Sequence, residues 1–311
     1  MIPIALLHPD VSPRAVEPFQ RVNPDLSIQQ GMQEPEQIQA ALIFGGDGTV
    51  HRYLPQLNKF KIPVLVVPAG SGNDFAKALG IGNTSLALEA WKKFCQTGAN
   101  AREIDLGAIR SSSSGEETFF CCVAATGMDA EANRRANQMP PWLRGSGGYI
   151  LAALSALTSF ELCEFSVSAD VRAGAGNESK PADQIKSKPG RISPGQKFAC
   201  AEIHRTGFFV AVGQAHRYGG GLKIAPLAEL GDGLLDVCFV GKMNKLKLLL
   251  ALPTVYFGGH LRLKEVEYFR AEKLSIATGR PVDVYADGEF ICQTPVEIRV
   301  LPRALRVIVP A

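Results

Sequence analysis

The residues with the clearest chemical potential lie in Phe44-Gly45-Gly46-Asp47-Gly48-Thr49-Val50-His51. They follow a short apolar run, 41–44, and lead into Val50, Tyr53, Leu54 and Leu57, which recur at helical spacing. Glycines at such a strand-to-helix junction permit positive φ and close approach to a ligand, and free N–H groups at a helix start attract an anion. The pattern is that of a phosphate cradle, or of a plain strand-to-helix turn. A second turn of the same kind, Pro68-Ala69-Gly70-Ser71-Gly72-Asn73-Asp74-Phe75, follows the run 62–67 and supplies a hydroxyl and capping residue types. If both runs are parallel strands, the two turns share the sheet edge at which ligands bind, and together flank one nucleotide. Lys77 reads as a solvated helix residue. Neither G-x-x-x-x-G-K-[ST] nor G-x-G-x-x-G followed by a ribose-binding acid occurs, which excludes P-loop and dinucleotide-fold chemistry.

Two acidic turns come later. Asp287-Gly288-Glu289 follows the run 282–286, and in an extended strand its two carboxylates would share a face. Paired carboxylates beside a phosphate site divide the work of base and metal binding; the alternative is a solvated turn. Gly231-Asp232-Gly233 would expose carbonyls next to a carboxylate, which suits a hard cation or, equally, a hairpin with a solvated aspartate. The seven cysteines form no C-x-x-C pair and read as buried thiols of a reducing compartment.

The elements that must position these groups change character along the chain. Apolar runs 2–7, 41–44, 62–67 and 104–109 alternate with helical patterns, which predicts parallel βαβ units. Pro55 is expected to kink or shorten the first helix, and Thr84 or Ser85 to cap one that Gly98 stops. Beyond about residue 110, runs 118–125, 165–171, 208–212, 234–240, 282–286, 296–300 and 305–309 follow without regular helices between them, a mostly antiparallel pattern. The fold expected is therefore an α/β nucleotide-binding domain with a parallel sheet, residues 1–108 with a tail at about 301–311 returning to it, and a mostly antiparallel β-sandwich domain, 109–300. Segments 149–157 and 246–253 are apolar but too short to span a bilayer, and read as core helices or as interfacial ones.

A chain of 311 residues with 46% hydrophobic and 20% charged residues is globular and long enough for two cores. Its net charge of +3 is local: residues 171–199 hold six Lys or Arg against two acids and read as a basic insertion. A nucleic-acid partner would call for a basic face, so none is expected. The apolar start is too short for a secretory signal, and the expected location is cytoplasmic.

Taken together, Gly45-Gly46-Asp47-Gly48-Thr49 and Pro68-Ala69-Gly70-Ser71-Gly72-Asn73-Asp74-Phe75-Ala76 resemble the diacylglycerol kinase catalytic-domain family, lipid kinases that include sphingosine and ceramide kinases. Gly127-Met128-Asp129, Tyr218-Gly219-Gly220-Gly221 with Pro226, Gly231-Asp232-Gly233-Leu234-Leu235-Asp236 and Asp287-Gly288-Glu289 agree in order, so the resemblance spans 41 to about 309. It implies an active site in the cleft between the domains and transfer of the γ-phosphoryl group of Mg-ATP to a lipid hydroxyl, diacylglycerol-like or sphingoid-like, at the inner face of the membrane. It also implies that Gly45, Gly46, Asp47, Gly48, Thr49, Val50, His51 and Ser71 contact ATP. Asp232 with the carbonyls of Glu229 and Leu234 would hold Mg²⁺, Glu289 would be the general base with Asp287 as partner, and Asp105 and Asp129 would support them. The chain departs from the family at His8-Pro9-Asp10, where Asn-Pro is usual, and at Gln214, where Asn is commoner. An NAD kinase and a catalytically silent nucleotide- or lipid-binding relative are the competing readings. No stable protein partner is implied, and a homodimer is the default assembly.

Overall fold

The computed structural model describes residues 2–140, 146–172 and 198–310. In its first part, β1 (Ile2–Leu7), β3 (Ile38–Gly45) and β4 (Val64–Pro68) pair in parallel, with the short β2 (Ser27–Gln29) on the outer edge of β1. Their runs are almost continuously apolar because both faces are buried: Ala40 to Phe44 are wholly inaccessible, as are Phe19 of the short α1 (Glu17–Gln20) and Trp91. α2 (Asp47–Phe60) continues through Pro55. The proline is exposed, so the backbone bond it removes is lost on the solvent side. α3 (Asp74–Ala78) is a single short turn-and-a-half after β4, and α4 (Thr84–Thr97) begins one residue earlier than expected, capped by the Asn83 side chain on the Leu86 N–H at 2.9 Å. Gly98, at φ 64°, ends it.

The remainder is antiparallel. β5 (Ala101–Ser111) and β6 (Glu117–Phe120) form a hairpin, and the expected single run 118–125 divides at Cys121-Cys122 into β6 and β7 (Val123–Gly127). Two helices, α5 (Met128–Gln138) and α6 (Ser146–Ser159), then precede β8 (Cys163–Arg172), β9 (Phe198–Gly213) and β10 (Leu235–Gly241). α7 (Lys245–Val255) leads to β11 (Val266–Thr278), β12 (Asp283–Ala286), β13 (Glu289–Gln293) and β14 (Val296–Ile308). α6 and α7 hold the apolar segments 149–157 and 246–253 expected to be helical, whereas α5 corrects the expectation of strands without regular helices between them. α5 escaped it because its buried face is made of Met128, Ala130 and Ala132 among charged residues, a weak apolar signal. β11 escaped because polar residues interrupt it.

β9 and β10 show what positions the layers. Val210, Val212, Val237 and Phe239 point into one core, whereas Phe209, Ala211, Cys238 and Val240 point into another that the helices cover. Strand alternation therefore feeds two apolar layers at once. The runs 296–300 and 305–309 are one strand, β14, whose ladder with β5 shifts register between Leu301 and Leu305, where Arg303 takes φ 54°. At its far end Val307 lies parallel to Val64, so β5 and β14 carry a single hydrogen-bonded network from the antiparallel part into the parallel one. The basic insertion expected at 171–199 lies largely outside the described residues; the strands on either side of it, β8 and β9, pair with each other. Among the described residues no helix is long and apolar enough to cross a membrane.

Candidate active site

The two glycine turns are in contact. The Ala69 N–H donates to the Gly45 carbonyl at 3.1 Å and the Asp47 N–H to the Gly72 carbonyl at 3.2 Å. A Cβ on Gly46 would stand 2.5 Å from the Gly72 carbonyl oxygen, and one on Gly70 2.5 Å from the Gly46 Cα. None of Gly45, Gly46, Gly48, Gly70 and Gly72 takes a left-handed φ. These glycines are required for close approach, of one loop to the other, rather than for the positive φ that the sequence suggested. The Asp47 carboxylate accepts from the Asp74 and Phe75 N–H groups, each at 3.0 Å. It caps α3 across the loop contact, not its own helix, whose N-cap Gly46 has no side chain to offer. Burial pushes its pKa up to about 6, with its two backbone donors opposing the rise. Val50 is a core residue, Thr49 packs its hydroxyl beside Gly45, and Ser71 lies exposed on the rim of the second turn.

The opposite wall is the β12–β13 hairpin. The strand does not continue through Asp287. β12 stops at Ala286, which pairs with Glu289, and Asp287 and Gly288 make a two-residue turn with φ of 51° and 88°. Asp-Gly is favoured where both central residues need positive φ. The turn sends its two carboxylates to different places. Asp287 faces inward with a wholly buried side chain: Oδ1 accepts from the Cys122 N–H at 2.8 Å and the Val123 N–H at 3.3 Å, and Oδ2 from the Cys121 N–H at 2.9 Å. His51 Nδ1 stands 3.2 Å from the same Oδ2. Burial would lower the His51 pKa, but the Asp287 carboxylate outweighs it and the pKa is raised. Asn137 secures the turn by donating to the Gly288 carbonyl at 2.7 Å. Glu289 is exposed, and its Oε1 reaches over the first turn of α2, 2.8 Å from the position a Cβ on Gly48 would take.

A third segment joins the second loop. The Gly220 N–H donates to Asp74 Oδ2 at 2.7 Å, linking the glycine run 219–221 to the second loop, and Lys77 lies 4.0 Å from Asp74 Oδ1. Tyr149 and Tyr218 both donate to the buried Asp129, whose pKa burial raises against those two hydroxyls. Gln214 is wholly buried, with neither amide atom hydrogen-bonded, and Arg217 Nε is also unpartnered. Orphaned polar groups of this kind cost about 1–3 kcal/mol each, so this segment is suited to receiving a polar ligand. Sequence reading singled out Gln214 only as a departure and missed Arg217, Cys121 and Cys122; the two cysteines matter through backbone N–H groups, which carry no side-chain signal.

Asp232 lies on a separate turn. Asp105 anchors it, Oδ2 accepting from the Gly233 N–H at 2.7 Å and Oδ1 from the Arg303 N–H at 2.8 Å. Asp232 accepts from the Leu234 N–H at 3.1 Å and lies 3.6 Å from Arg270 Nη1, while Arg270 Nε bonds Asp236 at 3.0 Å. Burial, reinforced by Asp236, pushes the Asp232 pKa up to about 6. Asp236 Oδ2 is buried without a partner. Asp232, Asp236 and Glu229 face one guanidinium and the Tyr268 hydroxyl, which donates to Asp236 at 2.7 Å, and so leave surplus negative charge at this turn.

Comparison with known proteins identifies the family and the fold. The profile described as Diacylglycerol kinase catalytic domain matches residues 15–109, and that described as YegS C-terminal NAD kinase beta sandwich-like domain matches 122–309. The diacylglycerol kinase of Mycobacterium tuberculosis is 33% identical over 277 residues, covering 87% of this chain and 77% of its own. The chain belongs to the diacylglycerol kinase catalytic-domain family. A crystal structure of a diacylglycerol kinase from Bacillus anthracis str. Sterne superposes with a TM-score of 0.63 at 16% identity, over 99% of this chain and 96% of that one. An NAD kinase from Archaeoglobus fulgidus in complex with ATP superposes with a TM-score of 0.51 at 13% identity, over 100% and 94%. The diacylglycerol kinase family and NAD kinases therefore share this two-part architecture.

Proposed function

We propose that this kinase transfers the γ-phosphoryl group of Mg-ATP to a lipid hydroxyl, with Glu289 as the general base. The observation that carries the reading is the division of labour in one turn: Asp287 is saturated by backbone donors and His51, whereas Glu289 is exposed with its carboxylate over the start of α2. A base must reach its proton, and of the two only Glu289 is free to do so. In this reading the nucleotide meets the residues 45–51 and Ser71 on the first part of the chain, 1–108 with the returning tail, and the lipid approaches from 109–300. Asp287 is a positioning residue: it holds the hairpin against β7 and, through His51, against α2. Asp232, with Glu229 and Leu234 beside it, would hold Mg²⁺; its surplus carboxylates and the unpartnered Asp236 oxygen support that assignment. When bound, the ion supplies charge neutralisation, which together with positioning accounts for most catalysis of phosphoryl transfer. The acceptor sits in a bilayer and ATP is cytoplasmic, so the enzyme is placed at the inner membrane face.

Purified protein with labelled ATP, Mg²⁺ and a mixed lipid extract is expected to move label into the organic phase. Glu289→Gln should abolish that transfer at an unchanged melting temperature. Equal labelling by the variant removes Glu289 from the role, and label entering NAD instead of lipid replaces the acceptor.

A further inference from the structure

α7 is half buried in an unusual sense. Leu248 and Val255 pack onto the helix-covered core, and Ala251 between them is buried, as a helix of the sandwich should be. Leu246, Leu249, Leu250 and Pro253 lie along the opposite face at helical spacing, and Phe257 follows in the next turn. Leu246 is 62% exposed, Leu250 68% and Phe257 88%. Large side chains on one exposed stripe differ from scattered surface leucines, because a contiguous apolar patch is costly in water and marks a contact.

The charge around the stripe says what kind of contact. Residues 237–264 hold no Asp or Glu, but contain Lys242, Lys245, Lys247, Arg262 and Lys264. Lys247 is committed to Glu265 at 2.7 Å, and the Lys245 ammonium caps the end of α6 at the Thr158 carbonyl. Lys242, Arg262 and Lys264 are exposed on the segments that flank the helix. Leucines and a phenylalanine flanked by cations, with the adjoining carboxylate of Glu265 taken up by Lys247, make the surface of an interfacial helix on an anionic bilayer.

The place of this face in the fold fits such a bilayer. The end of α7 adjoins the glycine run of the candidate site: the Lys223 N–H donates to the Val255 carbonyl at 3.2 Å, and a Cβ on Gly221 would stand 4.0 Å from the Tyr256 ring. The run 219–221 in turn holds Asp74 through Gly220. We infer that the exposed face of α7, with Phe257 and the flanking Lys242, Arg262 and Lys264, docks the protein on an anionic lipid bilayer beside the candidate site. The inference deepens the lipid-kinase reading by naming the face that meets the membrane, yet vesicle binding needs no turnover, so the two fail separately.

The test is sedimentation with vesicles of phosphatidylcholine, with and without phosphatidylglycerol, in the absence of ATP. The intact chain should bind the anionic vesicles and release them as salt rises. Leu250→Glu/Phe257→Glu should weaken binding about tenfold or more, because it puts charge where apolar side chains enter the interface. Lys242→Ser/Arg262→Ser/Lys264→Ser should weaken binding to anionic vesicles and leave the residual binding to phosphatidylcholine unchanged. All substituted residues are exposed, so the melting temperatures should match the parent. Undiminished binding by the first variant overturns the inference. So does absence of vesicle binding combined with a dimer, seen by light scattering, that the same variant dissociates; that result would assign the face to a second copy of the chain.

Discussion

Asp287-Gly288 and Asp232-Gly233 are the same dipeptide, and in each the glycine takes a left-handed φ, 88° and 76°. Their carboxylates meet opposite surroundings. Asp287 enters a ring of backbone N–H groups at the break between β6 and β7 and is fully used in holding the hairpin there. Asp232 keeps the Leu234 N–H and an ion pair with Arg270 at 3.6 Å, a guanidinium that it shares with Asp236, and Asp236 and Glu229 add like charge beside it. An aspartate whose charge is met by donors positions its neighbours; one whose charge is added to by other carboxylates is available to a cation.

The comparison extends to the neighbour of Asp287, and there the largest effect is expected. Glu289→Gln should lower phosphoryl transfer about 10²–10⁴-fold, the usual scale for a lost general base, with an unchanged urea midpoint. Asp287→Asn should instead lose stability by about 1–3 kcal/mol, because an amide cannot serve all the N–H groups that the carboxylate serves. A shifted midpoint in the first variant and not in the second would reverse the assignment.

The glycine loops allow the same separation. Gly46→Ala brings a methyl against loop backbone and should cost about 1–3 kcal/mol, as overpacking does. At Gly48 the methyl meets only the end of the Glu289 side chain, so Gly48→Ala should keep the urea midpoint and reduce turnover by displacing that carboxylate. Equal destabilisation by both would mean that Gly48 also serves the packing of the loops.

Asp232→Asn should remove the Mg²⁺-dependent rise in melting temperature while leaving the metal-free protein no less stable, since it relieves repulsion with Asp236. Retention of that rise would move the cation elsewhere.

The smallest effect belongs to Asp47. Burial raises its pKa from 3.8 to about 6, so over that window the folded chain holds a proton that the unfolded chain has released. Its contribution to stability is present below the window and is lost as pH rises through it. Urea midpoints between about pH 4 and 6 should show this slope, and Asp47→Asn should lessen it, leaving the part that Asp232 contributes over the same window.

Much of this was readable from residue order. Two glycine-rich turns after apolar runs, followed by Asp232 and Asp287-Gly288-Glu289 in sequence, identify the family and name the region of the site. The helix α5 and the strand β11 were not readable, because an alanine face and a polar-interrupted strand barely differ from loop composition. The roles within the acidic turns were open for a different reason. Asp287 and Glu289 are two residues apart, and strand parity put them on one side; a two-residue turn put them on different tasks.

What the sequence determined by itself was local: which runs become strands, where glycine replaces every other side chain, and which groups carry charge. These follow from alternation, turn chemistry and the inventory of donors and acceptors, and need no distant partner. Only the tertiary structure decided that Gly46 and Gly70 exist for each other, that Asp47 caps a helix 27 residues away, and that His51 answers Asp287 across 236 residues. It also decided that α7 shows its leucines to solvent, a face that periodicity in an almost wholly apolar segment does not reveal. Burial, and with it the charge state and reach of each carboxylate, depends on contacts between segments far apart in the chain.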